Sequence, residues 1–471
     1  MEKSSLPKGG ILMSKNTTRD LTVGSPMKLV AGFMLPLWGG MLFQQLYNMV
    51  DTMIVGKYLG VNALAGVGST GAICFMVMGF CIGTCSGLVI PIAQKFGEGN
   101  YSELRRYLFN GAYLAALLSI LLTALTTFLC GHILHWMKAP ADTYQYAYDY
   151  VFVIFLGIPV CILYNYLSGV IRSLGDSRTP IYFLILSSLL NILLDIVSVT
   201  MLGMGVEGPA WATVISQAVS GILCLVIMPR RYPLLRPQPG ETSPQAARIR
   251  RIAAVGIPMG LQYSVTAIGS VSIQTATNSL GTLYIAAQAA GNKVNQLFIC
   301  FFDAAGTTMA TYGGQNYGAM KLDRLTPGIR AAVKLAAVYS AVCFALLFCF
   351  GDRMALMFMD SATTPAELLA DVSTLARRFL ICNSAGYLFL SLVNIVRFMI
   401  QGLGFTQQAV FAGIFEMIAR CFIAFVVVDF VGYSAICVSN PLAWISAVIF
   451  LIPAYLYDLK KLRRNAALSH S

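Results

Sequence analysis

Apolar stretches of about twenty residues recur along the whole chain, separated by short polar or basic connections. Each is long enough to cross a hydrocarbon core of roughly 30 Å as a helix. Twelve are read from the sequence, near 28–50, 61–92, 104–130, 144–171, 180–202, 208–228, 252–276, 282–311, 328–350, 375–401, 406–430 and 435–457. Gly and Pro interrupt several of them, which membrane helices tolerate where neighbours re-satisfy the freed backbone. No segment remains for a large soluble domain. The pattern predicts an all-α integral membrane protein with twelve transmembrane helices.

Composition agrees: 57% of the 471 residues are hydrophobic, 11% are charged and mean hydropathy is +0.71, against roughly 25% charge in soluble domains. The net charge of +12 would suit nucleic acid, but the cations sort by connection. Lys3, Lys8, Lys15, Arg19 and Lys28, the even-numbered connections from Lys95 to Arg330, and Lys460, Lys461, Arg463 and Arg464 contribute 23, against 5 on the other side (Lys57, Lys138, Arg353, Arg377, Arg378). The positive-inside rule then places both termini and the 229–251 linker in the cytoplasm of a multi-pass cell-membrane protein. The bilayer explains the charge and no nucleic-acid partner is needed. Residues 1–26 lack the apolar core of a cleavable signal, so the first helix is expected to stay as an anchor, with Met13 an alternative start. The twelve Cys show no metal-like spacing and read as small apolar packing residues.

The chain repeats itself. Leu35-Pro36 answers Ile257-Pro258 at an offset of 222, Gln94-Lys95-Phe96-Gly97 answers Gln315-Asn316-Tyr317-Gly318 at 221, and Ile171-Arg172-Ser173-Leu174-Gly175 answers Ile400-Gln401-Gly402-Leu403-Gly404 at 229. Six helices per half with both halves starting on one side make a parallel repeat, two lobes related by a pseudo-two-fold axis along the membrane normal. The expected organisation is a cytoplasmic tail (1–26), an N-lobe (27–228), a cytoplasmic linker (229–251), a C-lobe (252–457) and a cytoplasmic C-terminal tail (458–471). Two such lobes suit a transporter rocking around a central cavity. Pro36 and Pro258 bend their helices, as hinge or as packing kink.

Asp195 is the only charged residue between Arg178 and Glu207, with Asn191 one turn before it. An ionised side chain costs several kcal/mol in hydrocarbon, so such residues pair, face water or bind an ion. The stretch Leu46-Tyr47-Asn48-Met49-Val50-Asp51-Thr52-Met53-Ile54-Val55-Gly56, the paired Gln-to-Gly connections, Arg172-Ser173-Leu174-Gly175-Asp176 and Asn191-Ile192-Leu193-Leu194-Asp195 together resemble the multidrug and toxic compound extrusion (MATE) family, closest to its bacterial DinF-like and MepA-like branch. The resemblance covers about residues 20–460. It implies a cation-coupled antiporter that expels amphipathic, often cationic organic compounds, with no cofactor beyond the coupling ion. It also implies a cation site at Asp51, Asn191, Asp195 and Thr213. Helix geometry is compatible, since Asn191 and Asp195 share one face and the four fall at similar depth. Two carboxylates, an amide oxygen and a hydroxyl suit Na⁺, or a proton shared by the carboxylates.

The repeat puts Ile273 opposite Asp51, Arg420 opposite Asn191 and Ala424 opposite Asp195, so the coupling chemistry is expected in the N-lobe alone. The C-lobe carries Asp303, Arg397, Glu416 and Arg420 inside apolar spans, either a neutralised packing network or a second proton or gating site, with Glu416 and Arg420 spaced for an ion pair within one helix. Gln44, Tyr47, Phe75, Met78, Tyr164, Gln262, Tyr263, Gln288 and Phe298 have the character of a cavity for varied amphipathic ligands. Tyr144, Tyr146, Tyr148 and Tyr150 read as an aromatic belt. The alternative function is a flippase for lipid-linked saccharides or lipid precursors, which would need several cavity cations. An enzyme is not expected, because no nucleophile and base stand at motif spacing. The transporter is expected to work as a monomer.

Overall fold

The computed structural model describes residues 18–59, 61–136, 143–359 and 365–468. Lys3, Lys8, Lys15, Lys138, His470 and the alternative start Met13 lie outside the described residues. Among the described residues nine helices are long and apolar enough to cross a membrane: α1 (Pro26–Leu59), α2 (Gly71–Glu98), α3 (Tyr101–Trp136), α5 (Arg178–Met201), α6 (Glu207–Arg231), α7 (Ala246–Leu280), α9 (Leu322–Leu356), α11 (Thr406–Val431) and α12 (Tyr433–Leu468). Two more spans are bent pairs, α4 (Tyr144–Leu156 with Ile158–Ser173, 46°) and α10 (Glu367–Ala385 with Tyr387–Gly402, 48°). The remaining expected span is α8, Thr282–Gly318, a 37-residue helix. It is less apolar than the others because it is buried between helices rather than set against lipid, with Gln288, Asn295, Gln315 and Asn316 all enclosed.

The two bends occupy equivalent places in the repeat. Gly157 breaks α4 and Gly386 breaks α10, 229 residues apart, and each lets a neighbour approach where a side chain would collide. A Cβ at Gly157 would stand 2.4 Å from Val214, and one at Gly386 would stand 2.9 Å from Pro441. Helices α5 and α11 likewise both contain a π turn, Val197–Met201 and Ile423–Val427. Pro36 and Pro258 lie inside α1 and α7.

The halves grip each other on the face that carries residue 26 and the end of α12, called here the terminal face. Trp38 of α1 packs edge-on against Phe301 and Tyr339, while Gly83, Gly87 and Leu88 of α2 receive Tyr263, Met259 and Gly256 of α7. Among the described residues the hydrogen bonds between halves concentrate on this face. The pair reaching furthest from it are Gln45 to Gln296 (3.1 Å) and Ser264 to the Met76 carbonyl (3.4 Å).

The 229–251 segment belongs physically to the first half. Arg105 donates to Glu241 and to the Leu234 carbonyl, Arg248 pairs with Glu103 at 2.6 Å, and Tyr113 donates to the Thr242 carbonyl. The Arg105 guanidinium holds the Glu241 carboxyl below its ordinary range. Tyr232 donates to Asp176, which also caps α5 by accepting from the Arg178 and Thr179 amides.

Candidate functional site

The structure gathers the four residues of the expected cation site. Asp195 is completely buried on α5, one turn after Asn191. The Asn191 amide donates to the Thr213 hydroxyl of α6 across 3.4 Å, and Asp51 of α1 stands beside Asp195 closely enough for the two carboxyls to interact. What distinguishes the cluster is its surplus of acceptors. Both oxygens of Asp195, Oδ1 of Asp51 and Oδ1 of Asn191 are buried and accept no hydrogen bond. Four orphaned oxygens converging from two helices are costly unless something positive joins them. The donor set fits a hard cation or a proton.

Tyr47 and Tyr150 lie within electrostatic range of both carboxylates, and Gln44 meets the Tyr47 hydroxyl. Tyr150 corrects the expectation of a uniform aromatic belt. Tyr144 and Tyr148 stack in line with Phe152, whereas Tyr150 turns inward to pack with Met78, Trp211 and Val214 around Ile154 and Ala210. Helical phase was the available signal: Tyr144 and Tyr148 are four apart, and Tyr150 falls on another face.

The other cavity candidates divide. Phe75 is exposed and Tyr164 approaches the Pro180 carbonyl at 3.5 Å. On the second half, Gln262 is buried and accepts from Gln401 at 2.6 Å, Tyr263 fills the space beside Gly79 and Gly83, and the Phe298 carbonyl receives the Tyr339 hydroxyl. These three are therefore occupied in helix packing. Gln288 is buried with its Oε1 unpartnered.

The charged cluster of the second half separates into two parts. The main partner of Glu416 is Arg397 on the neighbouring helix rather than Arg420 one turn on, which stands 3.6 Å away. Both guanidiniums are buried, and among the described residues Glu416 is the ionic partner of each. Asp303 is not in that network; Asn394 donates to it at 3.4 Å and the residue is exposed. Arg420 stands at the position of Asn191, whereas Ile273 and Ala424, the mirrors of Asp51 and Asp195, lie together in an apolar cluster.

An all-helical, two-halved membrane protein with a polar site buried in one half is the architecture of a secondary transporter. The MatE family model matches residues 36–197 and again 258–426, with starts 222 and ends 229 residues apart, the same spacings as the repeat. The chain belongs to the MatE family. The curated relatives include the probable multidrug resistance protein YpnP of Bacillus subtilis, 29% identical over 64% of this chain and 67% of that protein. The multidrug export protein MepA of Staphylococcus haemolyticus is 23% identical, with coverage of 83% and 85%. Among solved structures, a MATE protein in complex with MaL6 superimposes with a TM-score of 0.87 at 21% identity, covering 94% of this chain and 99% of that one. An outward-facing multidrug resistance MATE transporter superimposes at 0.86, also 21% identical, with coverage of 95% and 99%.

Proposed function

We propose that the protein is a cation-coupled antiporter that exports amphipathic, often cationic organic compounds across the cytoplasmic membrane by alternating access. In this reading Asp51, Asn191, Asp195 and Thr213 hold the coupling ion, Na⁺ or H⁺, and the terminal face is cytoplasmic. The single observation that carries it is Asp195, wholly buried with both oxygens unpartnered beside a second carboxylate. A cation entering there from outside offsets one of the pair's two negative charges, and its inward release restores the repulsion between them. Such a site drives transport only if the two conformations of the halves bind the ion with different affinity. In this reading the hydrogen bonds concentrated on the terminal face belong to a state closed toward the cytoplasm.

The names of the relatives support multidrug compounds as the exported class, and the basic connections support the orientation. The test is uptake of a fluorescent organic cation into everted vesicles under separately imposed Na⁺ and H⁺ gradients, for the native chain, Asp195→Asn and Asp51→Asn. Driven uptake is expected only in the native chain. Equal uptake by all three would refute coupling at this site.

A further inference from the structure

The motif Gln94 to Gly97 and its repeat Gln315 to Gly318 do something that the coupling chemistry does not use. Gln94, buried at the end of the first half's α2, donates its Nε2 to the carbonyl of Gly402 in the second half at 2.9 Å. Gln315, fully buried on α8 of the second half, donates its Nε2 to the carbonyl of Ser173 in the first half, also at 2.9 Å. Ser173 and Gly402 are themselves equivalent residues, 229 apart. Each half thus reaches across with the same amide to the same backbone carbonyl of the other.

The glycines make this reach possible. A Cβ at Gly97 would stand 1.9 Å from the Gln315 carbonyl oxygen, and one at Gly318 would stand 1.8 Å from the Gln94 carbonyl oxygen. Only bare backbone lets the helix ends cross so closely. The layer so formed is thin. A small pocket of about 30 Å³, lined by Ala93, Arg172, Ser173 and Thr311, lies on its inner side. A recess of about 400 Å³ lined by Gln94, Arg251, Tyr317 and Gly404 lies on its outer side. Ala93 faces one and Gln94 the other, so this single layer separates them.

We infer that Gln94 and Gln315 are the positioning residues that hold the transport pathway shut on the terminal face, a reciprocal latch that must release for the halves to open there. The two sides of the latch are not equal. The chain before α1 reinforces the Gln315 side: the Leu21 amide donates to Gln315 Oε1 at 2.9 Å, Asn316 donates to the Leu21 carbonyl at 3.2 Å, and Lys321 and Arg324 hold the carbonyls of Thr22 and Gly24. Arg19 also passes over Gly175, whose φ of +83° and missing side chain make room for it. Gln315→Leu therefore loosens the face more than Gln94→Leu, since it strands the Leu21 amide as well as the Ser173 carbonyl.

The latch rests on alternating access but not on the identity of the coupling ion, so its test uses distance rather than transport. Spin labels are placed at Glu98→Cys and Gln407→Cys, exposed residues on opposite halves, with the exposed Cys349 replaced by Ser. The latched parent is expected to give one dominant short distance. Gln94→Leu should raise the ratio of long to short distances roughly tenfold, and Gln315→Leu by more, each stranding a buried carbonyl. If a Leu variant does not purify as a folded monodisperse protein, Gln→Asn at the same position, one methylene too short to reach, gives the same readout. Distance distributions unchanged from the parent in the variants at both positions would overturn the latch, while leaving the ion-coupling reading to its own test.

Discussion

Replacing Asp195 by Asn should stabilise the ion-free protein while removing its response to the coupling ion. The native side chain is completely buried and neither oxygen accepts a hydrogen bond. An ionised Asp in the middle of a membrane helix costs about 3 kcal/mol, and the adjoining Asp51 adds like-charge repulsion. Asn has the same shape, carries no charge, and its amide can donate to Asp51. The ion-free variant is thus expected to be more stable than the ion-free native chain by about 2–3 kcal/mol, the carboxylate penalty less part of the cost of enclosing an amide. A ligand at a hundred times its dissociation constant stabilises by about 2.7 kcal/mol, nearly cancelling the native deficit. The assay is thermal unfolding in detergent, with NaCl exchanged for choline chloride at constant ionic strength and, separately, with pH varied. The native midpoint should climb with one of the two ions and reach that of Asp195→Asn, which stays flat. A variant that melts below the native chain in every condition, or that keeps the ion-dependent rise, would refute the reasoning.

Other outcomes follow from the same geometry. Glu416→Gln leaves the Arg397 and Arg420 guanidiniums buried without their shared carboxylate. It should cost about 3–5 kcal/mol, read as a lowered unfolding midpoint. In Gly318→Ala the new methyl must move from 1.8 Å to at least 3.0 Å from the Gln94 carbonyl oxygen, pushing the halves apart at the latch. A destabilisation of about 1–3 kcal/mol and the long spin-label distance are expected, and a native midpoint with a native distance would contradict the close crossing. Glu241 is held below its ordinary value of 4.5 by Arg105, so the linker's attachment is complete above that value and is lost as pH falls through the lower folded value. Protection factors over 232–245, corrected for the intrinsic pH dependence of exchange, should therefore be high at pH 7 in the native chain, lower there in Glu241→Gln, and lower in the native chain once the pH falls well below 4.5.

Most of the helices were legible in the sequence because lipid imposes one rule on every residue facing it. The exception explains itself: α8 meets other helices, so its polar residues are satisfied internally and its hydropathy falls. The clustering of the candidate site was legible for the opposite reason, since Asp195 violates the rule and its expected neighbours could be placed by motif and helix face. Partner choice within the second half was not legible. Spacing along one helix favours Glu416 with Arg420, and nothing local shows that α10 brings Arg397 closer. The inward turn of Tyr150 and the strap of residues 19–24 depend on tertiary packing in the same way. The Gln motifs were visible as repeats, but a repeat does not say that each copy binds the other half.

The repeat is stricter in backbone than in chemistry, and that difference locates the work. Both halves keep a broken fourth helix, at Gly157 and Gly386, a Gln reaching for the partner's carbonyl, and a π turn late in the fifth helix, after Asp195 in one half and over Ala424 in the other. A π turn widens the helix by one residue and commonly marks a functional position. In α5 it follows directly on the buried carboxylate, whose own carbonyl takes the Ser198 hydroxyl at 3.0 Å. In α11 the same widening surrounds Ala424 and binds nothing polar. The mirrors of the two carboxylates, Ile273 and Ala424, instead lie in an apolar cluster with Ala276, Ala287 and Ile423, while Arg420, at the position of Asn191, shares Glu416 with Arg397. Under the proposed coupling, two halves of matching backbone but different local chemistry can rock symmetrically while only the first changes protonation or ion occupancy. In the proposed antiport the symmetric elements, latch and kinks, would supply the motion, and Asp195 with Asp51 its direction.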